Sequence, residues 1–113
     1  MAWWGVAYAS GCNYNKPWEA FDRTEALHNV AAAYDATQQA IACAEYATAT
    51  EKALITALAR RYPARVPASD MNAWNDDYAD AMRKVYHAFR EDLDVVALFA
   101  ESIMNCTPWA MWD

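Results

Sequence analysis

The chain has 113 residues, 26 of them Ala and only two Gly, and 9 basic against 15 acidic side chains leave a net charge of −6. No glycine follows Gly11, which excludes a P-loop, a dinucleotide-binding turn, a nucleophile elbow and an EF-hand loop, since each needs glycine where backbone meets a ligand or turns sharply. Both halves share the acid excess and no basic patch stands out, so nucleic acid and anionic membrane are not expected partners.

The length fits one domain over residues 1–113. Residues 2–10 read as a short helix rich in Ala and Trp, closed by Gly11. Residues 11–21 form a loop carrying Asn13, Asn15 and Pro17. A second helix is expected from Asp22 or Thr24 to Ala47. Its apolar positions Leu27, Val30, Tyr34, Thr37, Ile41 and Ala44 step by three or four. Thr48 and Glu51 have capping-box spacing and open a third helix to Tyr62, with an apolar stripe of Leu54, Ile55, Leu58 and Tyr62. Arg60 and Arg61 suit the negative end of its dipole.

Pro63 stops that helix, and residues 63–68 are the clearest linker, dividing possible sub-units 1–62 and 69–113. Ser69 or Asp70 then caps a fourth helix to Phe89, with the cleanest stripe in the chain: Met71, Trp74, Tyr78, Met82, Val85 and Phe89. Its opposite face carries Asp76, Asp80, Arg83 and Lys84, with Asp80 and Lys84 at ion-pair spacing. A fifth helix is expected from Val95 to Asn105, before Pro108. Only nine residues are Val or Ile and none sits in an alternating run, so no strand is predicted and the fold class is all-α.

Helix pairs joined by short turns raise the question of a helical repeat. Trp4-Gly5-Val6-Ala7-Tyr8 resembles the second half of the first-helix pattern of the tetratricopeptide repeat: a large residue, Gly, then Tyr three on. Val96, Phe99, Ala100 and Ile103 repeat that spacing with Ala in place of Gly. Residues 4–18, 53–62, 77–82, 93–104 and Pro108-Trp109 together resemble an internal piece of longer tetratricopeptide-like proteins. The resemblance implies about five helices stacked as antiparallel hairpins, with Gly5 allowing close helix approach. It also implies a scaffold or binding role, within a longer repeat array, and supplies no catalytic residue. The second helix is too long for strict repeat spacing, and the loop after Gly11 is an insertion.

Asn13, Tyr14, Asn15, Lys16 and Trp18 cluster amides, aromatics and a cation in one loop, a composition that can hold a peptide or a small polar ligand. The same residues can instead make turns and staple the loop to the helices. Trp3, Trp4 and Tyr8 at one end and Trp109, Met111 and Trp112 at the other form an apolar load hard for a small domain to bury. They suggest a protein partner or self-association. Tyr and Trp are the expected anchors of a concave binding face.

The rival reading is a helical enzyme or metal-binding bundle. It rests on His28, His87 and the D-D-x-x-D run of Asp76, Asp77 and Asp80, which has Mg²⁺-binding chemistry in other contexts. Nine Asp in the chain make such a match an ordinary coincidence. Glu25 and His28 form one E-x-x-H, and a di-iron bundle needs two. No cofactor is implied. Cys12, Cys43 and Cys106 show no metal spacing, and reduced thiols fit a cytoplasmic protein.

Overall fold

The protein is described by a computed structural model over residues 1–13 and 16–106. Its helices are α1 (Ala2–Ser10), α2 (Arg23–Ala42), α3 (Ala49–Arg61), α4 (Met71–Ala88) and α5 (Leu93–Met104), with 3₁₀ turns at Trp18–Ala20 and Ala44–Tyr46. No strand occurs among the described residues, and Asn13 and Lys16 make an isolated bridge. The fold is all-α, as the composition predicts. The helices form a flat body of 36 × 34 × 18 Å, in which α1 packs on α2, α3 on α4, and α4 on α5.

Local signals set most boundaries. Asp22 accepts from the Glu25 amide and Glu25 reaches back to the Asp22 amide, so α2 opens on a full capping box. Thr48 and Glu51 do the same for α3, as predicted. Asp70 caps α4 through the Asn72 amide, and Asp92 caps α5 through the Asp94 and Val95 amides. Each such cap satisfies a backbone donor that would otherwise lack a partner. α2 ends five residues earlier than its periodicity predicts, because the chain tightens into the 3₁₀ turn at 44–46.

The core is Val30, Ala33 and Ala36 of α2, Leu54 and Leu58 of α3, Trp74, Tyr78, Met82 and Val85 of α4, and Val95 of α5. Burying one large apolar side chain of this kind is worth roughly 1.5–3 kcal/mol. The stripes of α3 and α4 agree with the sequence. The stripe of α2 needs correction: Leu27 and Ile41 are exposed, and the buried face is Val30, Ala33, Ala36, Thr37 and Ala40. Small side chains on the buried face let α2 lie close against α1.

Gly5 also departs from expectation. A Cβ added there would meet nothing within 4 Å, so close packing does not require glycine. At Gly11 an added Cβ would lie 1.8 Å from the Tyr62 hydroxyl, while φ is an ordinary −92°. Gly11 is therefore needed for a close approach, not for a left-handed turn.

Candidate functional site

α3 and α4 face each other through small residues. Ala53 and Ala57, one turn apart on α3, oppose Ala81, Val85 and Ala88 on α4, and the surface between the helices opens into a groove of about 700 Å³. That size lies within the range of ligand-binding clefts. The floor is aliphatic. The rim is charged, with Arg60 from α3 and Asp77, Asp80, Arg83, Lys84 and His87 from α4. Arg60 and Asp77 meet across it at 4.0 Å. The expected Asp80–Lys84 pair is not among the ion pairs of the described residues. The anticipated Tyr and Trp anchors are absent from this lining, because Tyr62, Trp74 and Tyr78 are drawn into the core.

Both tyrosines pack there around Arg61. The sequence places it at a solvated helix end, but its side chain is only 1% exposed. Its guanidinium lies over the rings of Tyr8, Tyr78 and Tyr62 at 5.0, 5.1 and 5.6 Å, distances at which a cation is attracted to an aromatic face. Nη2 donates to the carbonyl oxygen of Cys12. The Cys12 thiol donates to Asn75 Oδ1 at 3.3 Å, and Asn75 Nδ2 donates to the Asn105 carbonyl at 3.4 Å. Asn105 Nδ2 and the Tyr8 hydroxyl both donate to Glu101, each at 2.5 Å. The circuit closes on the Tyr8 ring beneath the guanidinium, and it joins α1, α3, α4 and α5.

Burial works against the charge on Arg61, yet its pKa is pushed up and the guanidinium stays protonated, held by the Cys12 carbonyl and by the faces of the three tyrosine rings. Burial pushes the Cys12 thiol up despite Arg61 beside it, which keeps it from serving as a ready thiolate. Burial likewise raises Tyr62 to about 12 and pushes Tyr8 and Tyr78 up. The arrangement is a buried polar lock, inaccessible to a substrate. Sequence reasoning missed it because an Arg in the last turn of a helix normally points to water.

In the loop singled out from sequence, Asn13 and Lys16 exchange backbone hydrogen bonds at 3.0 and 3.1 Å. Lys16 pairs with Glu25 and lies 4.6 Å from the Phe21 ring centre. Trp18 is buried against Phe21, and so staples that end of the loop to the core. Tyr14, Asn15, Trp109, Met111 and Trp112 lie outside the described residues. At the other end, Trp4 and Tyr8 pack against the core while Trp3 stays exposed.

His28 is exposed on α2, and its partner Glu25 is engaged by the capping box and Lys16. His87 is exposed on α4, with Arg90 3.0 Å from its Nδ1. Asp76, Asp77 and Asp80 are exposed, and no three metal-ligating side chains converge among the described residues. None of the five helices is long and apolar enough to cross a membrane. Comparison with known proteins finds no matching family model, no matching curated protein and no matching solved structure.

Proposed function

We propose that the chain is a non-catalytic protein-interaction domain of tetratricopeptide-like type, and that it binds a peptide segment of a partner in the groove between α3 and α4. The observation that carries this reading is the groove itself, with an aliphatic floor of Ala53, Ala57, Ala81 and Val85 beneath a charged rim. Such a floor accepts the apolar face of a short helix or extended segment, and the rim fixes its orientation. The free thiols of Cys12, Cys43 and Cys106 support a reducing, cytoplasmic setting.

Selection of displayed random 12-residue peptides on the full chain tests this. Thr56 lines the groove and is exposed, so Thr56→Trp obstructs it without touching the core. The expected result is a set of enriched peptides that lose binding to Thr56→Trp while its helical circular dichroism is unchanged. Enriched peptides indifferent to Thr56→Trp, or no enrichment, count against the groove.

A second reading has its own observation. Leu93 is 81% exposed, and with Val96, Ala100 and Ile103 it makes an apolar stripe along the outer face of α5. Trp3 and Val6 leave a comparable face open on α1. Open faces at both edges are what stacking on a neighbouring repeat, or on another copy, would cover. Sedimentation equilibrium tests self-association: this reading expects mass to rise with concentration, and a monomer at all concentrations opposes it.

A further inference from the structure

We infer that the segment held in the α3–α4 groove is acidic; this deepens the peptide-binding reading of that groove and rests on it. The chain carries a net charge of −6, yet the C-terminal half of α4 carries Arg83 and Lys84 with no carboxylate after Asp80, and Arg90 follows in the turn beside Glu91 and Asp92. All three are exposed, and none has a carboxylate within ion-pair distance among the described residues. Elsewhere Lys16 pairs with Glu25, Arg60 with Asp77 and Arg65 with Asp35, while Arg23 and Lys52, which do not line the groove, share with Arg83 and Lys84 the lack of an ion pair among the described residues. With Arg60 and Asp77 compensating each other, the remaining rim charges are Asp80 against Arg83 and Lys84.

Neighbouring groups hold these cations in place without cancelling them. Arg83 lies 5.6 Å from the Phe99 ring centre, and Arg90 lies over the Tyr86 ring and hydrogen-bonds His87. From Arg83 to Ala88, where α4 ends, the helix rises roughly 7–8 Å. Screening at physiological salt limits the reach of charge to about 8 Å, so a bound segment responds to these side chains more than to the net charge of the protein. A segment with two or three carboxylates spread over that length, and small apolar side chains toward Ala53, Ala57 and Ala81, complements both rim and floor.

The test uses fluorescein-labelled 15-residue peptides that share one Ala/Leu stripe and carry Glu, Gln or Lys at the flanking positions, with a 15-nucleotide oligothymidine as a fourth probe. Anisotropy against the full chain gives affinity, and amide NMR shifts give the location. The Glu peptide is expected to bind about tenfold tighter than the Gln peptide at low salt, with the gap closing in 0.5 M salt. Shifts are expected at Ala53, Ala57, Ala81 and Val85. The double variant Arg83→Glu/Lys84→Glu should abolish the preference while its helical circular dichroism is unchanged. Gln or Lys peptides binding the groove as tightly as Glu overturn the acidic assignment and leave the groove standing. No peptide shifting the groove amides overturns the groove reading itself. Oligothymidine binding tighter than the Glu peptide, through Arg83 and Lys84, overturns the proposal in favour of nucleic acid.

Discussion

The guanidinium of Arg61, near the end of α3, hydrogen-bonds the carbonyl oxygen of Cys12, 49 residues earlier in the chain. That bond ties the segment after α1 to α3, and three tyrosine rings pack round the same group. Nε and Nη1 of Arg61 are buried without a hydrogen-bond partner among the described residues. Much of what the residue contributes is therefore volume and π contact, with one strong hydrogen bond, offset by the cost of burying charge. Arg61→Ala removes all of it and is expected to cost about 2–5 kcal/mol, as other large-to-small core changes do. Arg61→Met keeps most of the volume and drops the charge, so it should lie well above Arg61→Ala in a urea melt. Equal losses in the two variants would show that the charge, and not the packing, holds the circuit.

The two glycines should respond oppositely to the same change. At Gly5 a methyl group meets open space, and Ala is the better helix former, so Gly5→Ala is expected to raise stability by about 0.5–1 kcal/mol. At Gly11 the methyl collides with Tyr62, which is 1% exposed and cannot swing away. Gly11→Ala should cost about 1–3 kcal/mol, as overpacking does. Tyr62→Phe removes the nearest clashing atom, so the double variant should recover part of that loss. Thermal melts of the four proteins decide it, and a destabilised Gly5→Ala would restore the close-packing role expected from the repeat pattern.

Alkaline pH should weaken the fold. Burial raises the folded pKa of Tyr62 from about 10 to about 12, and those of Tyr8 and Tyr78 rise as well. A group whose folded pKa is raised holds its proton in the native state after the unfolded chain has lost it. Its contribution is complete below pH 10 and is lost as pH climbs through 12. For Tyr62 alone the loss is on the order of 2–3 kcal/mol. Tyrosinate absorbance near 295 nm, followed beside circular dichroism, should show these phenols ionising only as helicity falls. Ionisation of all seven tyrosines near pH 10 with helicity intact would contradict the burial argument.

What was legible in the sequence was what short-range chemistry controls. Thr48 with Glu51, Asp70, Gly11 and Pro63 set boundaries that α1, α3 and α4 keep, and the α4 stripe went to the core as its spacing required. The side of α2 that turns inward was not legible. Periodicity favours the largest residues, Leu27 and Ile41, whereas the helix buries Ala33, Ala36 and Ala40 to approach its neighbours. Arg61 was hidden for a related reason: its partners Tyr8, Cys12 and Tyr78 come from other elements, so only tertiary structure brings them to it. The groove was half visible. Asp80, Arg83 and Lys84 read correctly as a polar face of α4, but the facing pair Ala53 and Ala57 is needed to turn that face into a rim. Small residues one turn apart on two successive helices are the signal that would have found it.

Trp4 holds α1 to the rest of the fold in two ways. Its Nε1 donates to the Leu54 carbonyl on α3 at 3.2 Å, and its ring stacks on Tyr8 at 5.0 Å with 10° between the planes. Tyr8 in turn donates to Glu101 on α5 and underlies Arg61, so Trp4 supports the circuit from outside. Trp4→Ala removes the stack, the hydrogen bond and the packing together, and is expected to cost about 3 kcal/mol or more. Trp4→Phe keeps the ring contact and loses the donor, which leaves the Leu54 carbonyl without that partner and should cost about 1–2 kcal/mol. Hydrogen exchange should then show the α1 amides opening ahead of those of α4 in Trp4→Ala. A near-neutral melt for Trp4→Ala, with α1 still protected, would mean that α1 is held by its contacts with α2 alone.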